Sequence, residues 1–331
     1  MNYIQRRILI YVIVFVVIFN LDFFLPRMVP GNAAMVLRPA GSRPPAEEVA
    51  ALEALFGLNK PLSVQYFLYL KNTFATWPPY LGVSNEFFPT TVWNLFVARV
   101  GWSLLLMLSS LLLALALSYV MAAISSLRRG GKSELGFLYS SIVFEASPIY
   151  WVALVLLWVF AVDLKVLPSF GNFSLTAGTS TQYVLSIFQH AVLPVLAMTL
   201  SIFGEDYLVL RASAQEVLKS DYVIAARTRG LKKRTIATAY ILRNSLLPLI
   251  SLVSFSLAGL VGRLVLVEAV FGYPGIGDLL VDAIVNRDFP VVEGTLLLIT
   301  TMVIAGGIIG DLLLMRLDPR LRETKMGRII Q

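Results

Sequence analysis

Long apolar runs alternate with shorter polar stretches along most of this chain. Residues 8–25 form the first predicted span, with Asn20 and Asp22 near its far end, where water is close. Residues 101–124 run for 24 positions without a charge and predict the second. Residues 135–162 predict the third, which carries Glu145 and a kink at Pro148. Residues 191–210 predict the fourth, with Glu205 and Asp206 near its end. Residues 246–268, interrupted by Arg263, predict the fifth, and 293–315 the sixth. These runs match the ~20 residues an α-helix needs to cross a hydrocarbon core. The pattern predicts an all-α integral membrane protein with six transmembrane helices, the first retained rather than cleaved as a signal peptide.

The stretches between the runs are of four kinds. Residues 26–100 are polar and hold nine prolines, which is too long and too charged for a turn. Helical spacing of Val49, Leu52, Leu55 and Phe56, with Glu47 and Glu48 in the first turn, predicts a short helix over 46–56, and 61–71 predicts another. Residues 163–189 form a polar connection, at whose end His190 reads as a helix-start residue at the outer interface. Residues 269–290 form a loop with Gly and Pro. Residues 211–245 are the basic stretch: Arg211 to Arg243 hold eight basic residues against Glu216 and Asp221. Within it, Ala225 and Ala226 give a small-residue helical face that admits a close partner, and Gly230 supplies a break. The segment is either a compact knob of two short helices meeting at Gly230 or a solvated loop.

Composition agrees with a membrane protein and narrows its chemistry. Only 14% of residues are charged and mean hydropathy is +0.77, where soluble chains carry about 25% charged residues. There is no cysteine, so no disulfide, iron–sulfur or thiolate site, and His190 is the one histidine, which excludes multi-histidine metal sites. The net charge of +7 lies in a few inter-helix segments and does not indicate a nucleic-acid partner. Of 27 Lys and Arg, 18 fall in the N-terminus, the 128–132 loop, the basic stretch and the tail. That asymmetry puts both termini and the basic stretch in the cytoplasm and residues 26–100 outside it, in a multi-pass topology. Ser126–Ser133 nearly spells a P-loop. It lacks the first glycine and follows a membrane helix rather than a strand, so it is rejected as a nucleotide site. Asn172-Phe173-Ser174 is a glycosylation triplet by spelling only, and the tryptophans include interfacial anchors.

Several motifs in order carry a family resemblance. Asp221-Tyr222-Val223, Ala226-Arg227-Thr228-Arg229-Gly230-Leu231 and Arg243-Asn244-Ser245-Leu246-Leu247-Pro248 resemble the cytoplasmic EAA loop of ABC-importer permeases of the dipeptide, oligopeptide and nickel group. Val29-Pro30-Gly31-Asn32, the run from Leu55 to Leu62 with Gln65-Tyr66, the run from Glu268 to Gly277, Arg287 to Val292, and Leu317-Asp318-Pro319-Arg320 resemble further segments of that group. The chain departs from the general EAA pattern in carrying Ile224 where that pattern has Glu, the acid here being Asp221.

The resemblance implies a transport subunit, not an enzyme, in the cell membrane of a prokaryote. It implies residues 1–25 as N-terminal tail and first span, 26–100 as an extracytoplasmic insertion, and 101–331 as the permease core. It implies a second homologous permease, two ABC ATPases that hold ATP and Mg, and an extracytoplasmic substrate-binding protein. This chain then binds no cofactor or metal itself. Asp221, Tyr222, Ala225, Ala226, Arg227, Gly230 and Leu231 would couple to the ATPase. Phe271, Tyr273, Pro274 and Gly275 would face the binding protein. Glu145, Arg263 and Glu268 are candidates for the translocation path, because intramembrane charges are costly and default to function. Glu145 is equally readable as an interior group satisfied by Ser or Tyr. Glu205 and Asp206 are read as partners of Arg211 or another nearby base, and Arg263 as an anion ligand or the partner of Glu268. The expected solute is a peptide, with oligosaccharide or chelated nickel as alternatives. An ion-coupled secondary transporter, or a scaffold or receptor without transport, remains a different class.

Overall fold

The computed structural model describes residues 3–28, 59–128, 130–174 and 179–317. The expected helix over 46–56 and the motifs Val29–Asn32 and Asp318–Arg320 lie outside those residues. The described chain is helical, and its one β-bridge joins Val83 to Thr91. The helices are α1 (Tyr3–Met28), α2 (Leu62–Phe74), α3 (Val92–Leu127), α4 (Lys132–Ala146), α5 (Ile149–Leu156), α6 (Ser180–Val217), α7 (Asp221–Thr228), α8 (Arg243–Phe271), α9 (Ile276–Val285) and α10 (Phe289–Leu317). Two π-helical segments, Leu157–Asp163 and Ile236–Leu242, continue α5 and lead into α8.

Four of these helices hold runs long and apolar enough to span a membrane: Gln5–Phe24, Val92–Leu127, Ser180–Val217 and Phe289–Leu312. Two further pairs pass only when taken together, Lys132–Ala146 with Ile149–Asp163 and Gly259–Phe271 with Ile276–Val285. Among the described residues the count is therefore four to six. The expected kink at Pro148 is a full break, with α4 and the segment after it meeting at 107°. Proline removes a donor, clashes with the preceding turn and pushes its predecessor out of the helical region, and Ser147 is extended at φ −86°, ψ 127°.

The fourth span also starts earlier than its apolar run. The Thr179 side chain caps α6 by accepting from the Gln182 amide, so the polar residues 180–190 are helical. His190 is consequently inside α6, its Nδ1 2.7 Å from the Ser186 carbonyl oxygen, and not at a helix start. The 269–290 segment likewise contains a helix, α9, where a loop was expected.

By contacts the chain divides into two compact units, the first comprising Met1–Gly101 with Pro274–Ile304 and the second Trp102–Tyr273 with Ala305–Gln331. In the first, α2 lies along the end of α1. The Tyr69 hydroxyl donates to Asp22 at 3.0 Å and the Tyr66 hydroxyl to Asn20 at 2.9 Å. Asp22 is thus buried rather than close to water. Burial, then the neighbouring Asp22 charge, pushes the Tyr69 phenol well above its ordinary pKa. Arg27 pairs with Glu293 at 2.9 Å and lies over the Phe23 ring. Asp288, also buried, receives the Ser84 hydroxyl at 2.5 Å and the amides of Asn85 and Glu86, which pins that turn beside the Val92, Leu279, Ala283 and Val291 cluster.

In the second unit α6 is the central staff. More than half of its apolar window is buried, against about a fifth for α3, and it packs on α4, α5 and α8. Gly204 permits a close contact with α4. A Cβ there would sit 2.7 Å from the Ser141 carbonyl oxygen and 2.9 Å from the Glu145 nitrogen, both backbone atoms that cannot swing away. Gly204→Val should therefore destabilise the protein by ~1–3 kcal/mol through overpacking. Gly136→Ala, where nothing lies within 4 Å, should stabilise by ~0.5–1 kcal/mol on helix propensity. Thermal denaturation in detergent reads both, and a Gly204→Val protein as stable as wild type would contradict the close approach.

Candidate functional site

The basic stretch folds as a packed knob. Asp221, in the first turn of α7, favours the helix N-terminus electrostatically, and Arg227, in the last turn, the C-terminus. The helix closes in a Schellman arrangement: the Gly230 amide donates to the Arg227 carbonyl at 3.0 Å and the Leu231 amide to the Ala226 carbonyl at 3.3 Å. That closure needs a left-handed residue, and Gly230 has φ +73°. The chain then re-enters a helical turn at Lys233–Thr235.

One side of the knob is a small hydrophobic core of Ala214, Leu218, Val223, Ala226, Ile236 and Ile241. Ala226 is 3% exposed and belongs to it. The alanine pair is therefore divided. Ala225 faces outward, whereas Ala226 lets α7 close on its own support and is not part of an outward small-residue face. The outer surface offers Tyr222, Ile224 and Leu231 as exposed apolar groups, with Ile224 51% exposed, ringed by exposed Arg227, Arg229, Lys232, Lys233 and Arg234. An apolar patch with a basic rim is the composition of a docking surface.

The base of the knob is tied by charge. On α6, Arg211 places Nη2 2.9 Å and Nε 3.0 Å from one oxygen of Glu134 on α4. The other Glu134 oxygen accepts the Gly130 amide at 2.6 Å. Arg211 is thus committed to Glu134 and does not pair with Glu205 or Asp206 as expected.

Those two acids belong to a second cluster, on α4, α6 and α8. Arg263 approaches Glu205 at 3.5 Å and does not pair with Glu268. Glu145 interacts electrostatically with both Glu205 and Arg263. Asp206 lies within electrostatic reach of all three. Sequence reasoning put Glu145 and Arg263 on one path, and the structure does bring them together. Glu268 stands apart, fully buried and accepting from the Ser103 hydroxyl at 2.6 Å. Among the described residues no group of three or more His, Asp or Glu stands close enough to hold a metal ion.

Of the loop residues expected at the binding-protein face, Phe271, Tyr273 and Gly275 are buried, and Pro274 is partly so. Gly272, left-handed at φ +51°, ends α8, the Phe271 carbonyl accepts the Gly171 amide, and Tyr273 stands edge-on to Trp102. These residues shape the loop from within and do not present their side chains. The exposed positions nearby are Ile284, Val285, Asn286 and Arg287. Nothing in the sequence pattern separated shaping residues from presenting ones.

Comparison with known proteins bears on both clusters. Residues 114–323, which contain α4–α9 and both charge clusters, match the family described as binding-protein-dependent transport system inner membrane component. Residues 1–84 match the N-terminal model for membrane components of the same systems. The chain is 30% identical to the oligopeptide transport system permease protein AppB of Bacillus subtilis, over 96% of this chain and 98% of that protein. It is 29% identical to the di/tripeptide transport system permease protein DppB of Pseudomonas aeruginosa and 28% to the dipeptide transport system permease protein DppB of Escherichia coli, each over 98% of this chain and the whole of the relative. With a family model over most of its length and end-to-end relatives, the chain belongs to the inner-membrane components of binding-protein-dependent transport systems.

Proposed function

We propose that this chain is one of two permease subunits of an ATP-driven importer and forms half of a translocation path for peptides. The observation that carries the proposal is the knob: an exposed apolar and basic surface held rigidly on a packed core. A rigid element transmits a push that a loose loop would absorb. In this reading each of two ATPase subunits, which hold ATP and Mg, grips one knob across Asp221, Tyr222, Ala225, Arg227 and Leu231, while Ala226 and Gly230 set its shape. Closure of the ATPases moves the knobs together and opens the path toward an extracytoplasmic binding protein. The Lys and Arg asymmetry of the sequence supports cytoplasmic termini and an extracytoplasmic position for residues 26–100. The binding protein then meets that segment and the exposed end of α9 around Ile284–Arg287. Peptide as solute is supported by the names of the permeases the chain resembles over its full length.

The test is uptake of labelled trialanine into proteoliposomes holding the complete transporter with its binding protein. ATP-dependent accumulation is expected, with none when ATP is replaced by a non-hydrolysable analogue. Accumulation driven by an ion gradient without ATP would overturn the ATP-driven reading, and ATP-driven uptake of another solute but no peptide would overturn the peptide assignment.

A further inference from the structure

We infer that Glu145, Glu205, Asp206 and Arg263 form a binding site for a protonated amine of the passing solute. The inference rests on the reading of this chain as half of a solute path. The site sits where three helices meet: α4 brings Glu145, α6 brings Glu205 and Asp206, and α8 brings Arg263. Gly204 is what makes the meeting possible, since its missing side chain lets the backbone at Glu145 come to van der Waals distance of α6.

The charge balance points to the ligand. Three carboxylates face one guanidinium, and that guanidinium reaches Glu205 through a single 3.5 Å approach rather than a two-point clamp. Asp206 is 2% exposed, and its Oδ2 has no hydrogen-bond partner among the described residues. An unpaired buried acceptor carries a desolvation cost that a donor arriving with the solute would relieve. Glu145 is exposed, and Glu205 and Arg263 partly so, so the cluster opens to one side. Charged groups on spanning helices are costly when they face lipid, and characteristically line a watery path or a partner. Among the described residues no group of three or more carboxylates is placed to hold a bare metal ion. An acidic cluster with a buried, unpaired oxygen suits an organic cation with several N–H donors, which is the ammonium of a peptide amino terminus or of a basic side chain.

The experiment measures binding to the purified membrane complex without the binding protein, so that the selectivity read is that of the membrane part. The probes are trialanine, N-acetyl-trialanine and N-acetyl-Ala-Lys-Ala, compared by equilibrium competition on wild type, Glu145→Gln and Asp206→Asn. Removing the amine should weaken binding to wild type at least about tenfold, as expected for loss of one charged hydrogen bond. Both variants should bind the amine and acetylated forms within about threefold of each other. Recovery of affinity by the lysine peptide assigns the site to any protonated amine, and no recovery assigns it to the amino terminus. Equal binding of trialanine and its acetylated form by wild type overturns the inference, as does full discrimination retained by both variants. Because Glu145 is exposed, its variant folds even if Asp206→Asn does not, and a thermal melt of each variant checks this. No step depends on ATP or on transport, so an ATP-independent result in the uptake test leaves this readout separate.

Discussion

Replacing Gly230 with proline should abolish ATP-driven uptake while the chain stays in the membrane. Proline fixes φ near −65° and has no amide hydrogen. Position 230 stands at φ +73°, and its amide donates to the Arg227 carbonyl. The exchange therefore removes the left-handed turn and one of the two hydrogen bonds that close α7, at a cost of ~3 kcal/mol or more. Asparagine is the informative companion. It tolerates the left-handed region better than other residues with side chains, and nothing lies within 4 Å of a Cβ at this position. Gly230→Asn should keep most of the uptake. The assay pairs uptake in intact cells with the amount of chain in the membrane fraction and with ATPase co-purification. A proline variant that transports at the wild-type rate would show that the shape of the knob is irrelevant to coupling. Ala226→Arg should also lose transport, for a reason visible only in the fold: it buries a charge in the core of the knob instead of blocking an outward face.

The second large effect is expected at the base of the knob. Arg211→Ala strands Glu134, whose side chain is 8% exposed, with the Gly130 amide as its remaining partner among the described residues. Breaking a buried pair on one side costs ~3–5 kcal/mol. The lower end applies here because Arg211 is a quarter exposed and partly screened by solvent. A double variant, Arg211→Met with Glu134→Leu, should recover most of the loss, since an apolar pair of similar volume leaves no charge uncompensated. Thermal melts in detergent separate the two outcomes. If the single variant melts no lower than the double, the pair is a surface contact and not a strut.

The spans were largely legible because a membrane demands unbroken apolar runs, and those runs lie in plain view. Their ends were less so. Residues 180–189 carry Gln182 and Gln189, which read as a connection, with the helix start at His190, yet the cap at Thr179 starts the helix ahead of them. Local spelling could not reveal the cap's competition with the onset of hydrophobicity. Gly230 was readable, because a glycine after a short helix serves few other purposes. The division between Ala225 and Ala226 was not readable, since side-chain direction depends on where the support lies. The charge partners were the least legible. Arg263 and Glu205 are 58 positions apart, and Arg211 and Glu134 are 77 apart. Proximity in sequence suggested Glu268 for Arg263 and Glu205 or Asp206 for Arg211, but helix packing brought other partners nearer.

The π-helical segment at Ile236–Leu242 joins the knob to α8. A π turn holds one residue more than the α-helical turn on either side of it. The segment therefore holds one residue more than a regular ladder would, with Ile236 and Ile241 packed in the core of the knob. Reeling that residue into the regular ladder would lengthen the segment by ~1.5 Å and turn one end against the other by ~100°. The change would reach α8 as a screw motion.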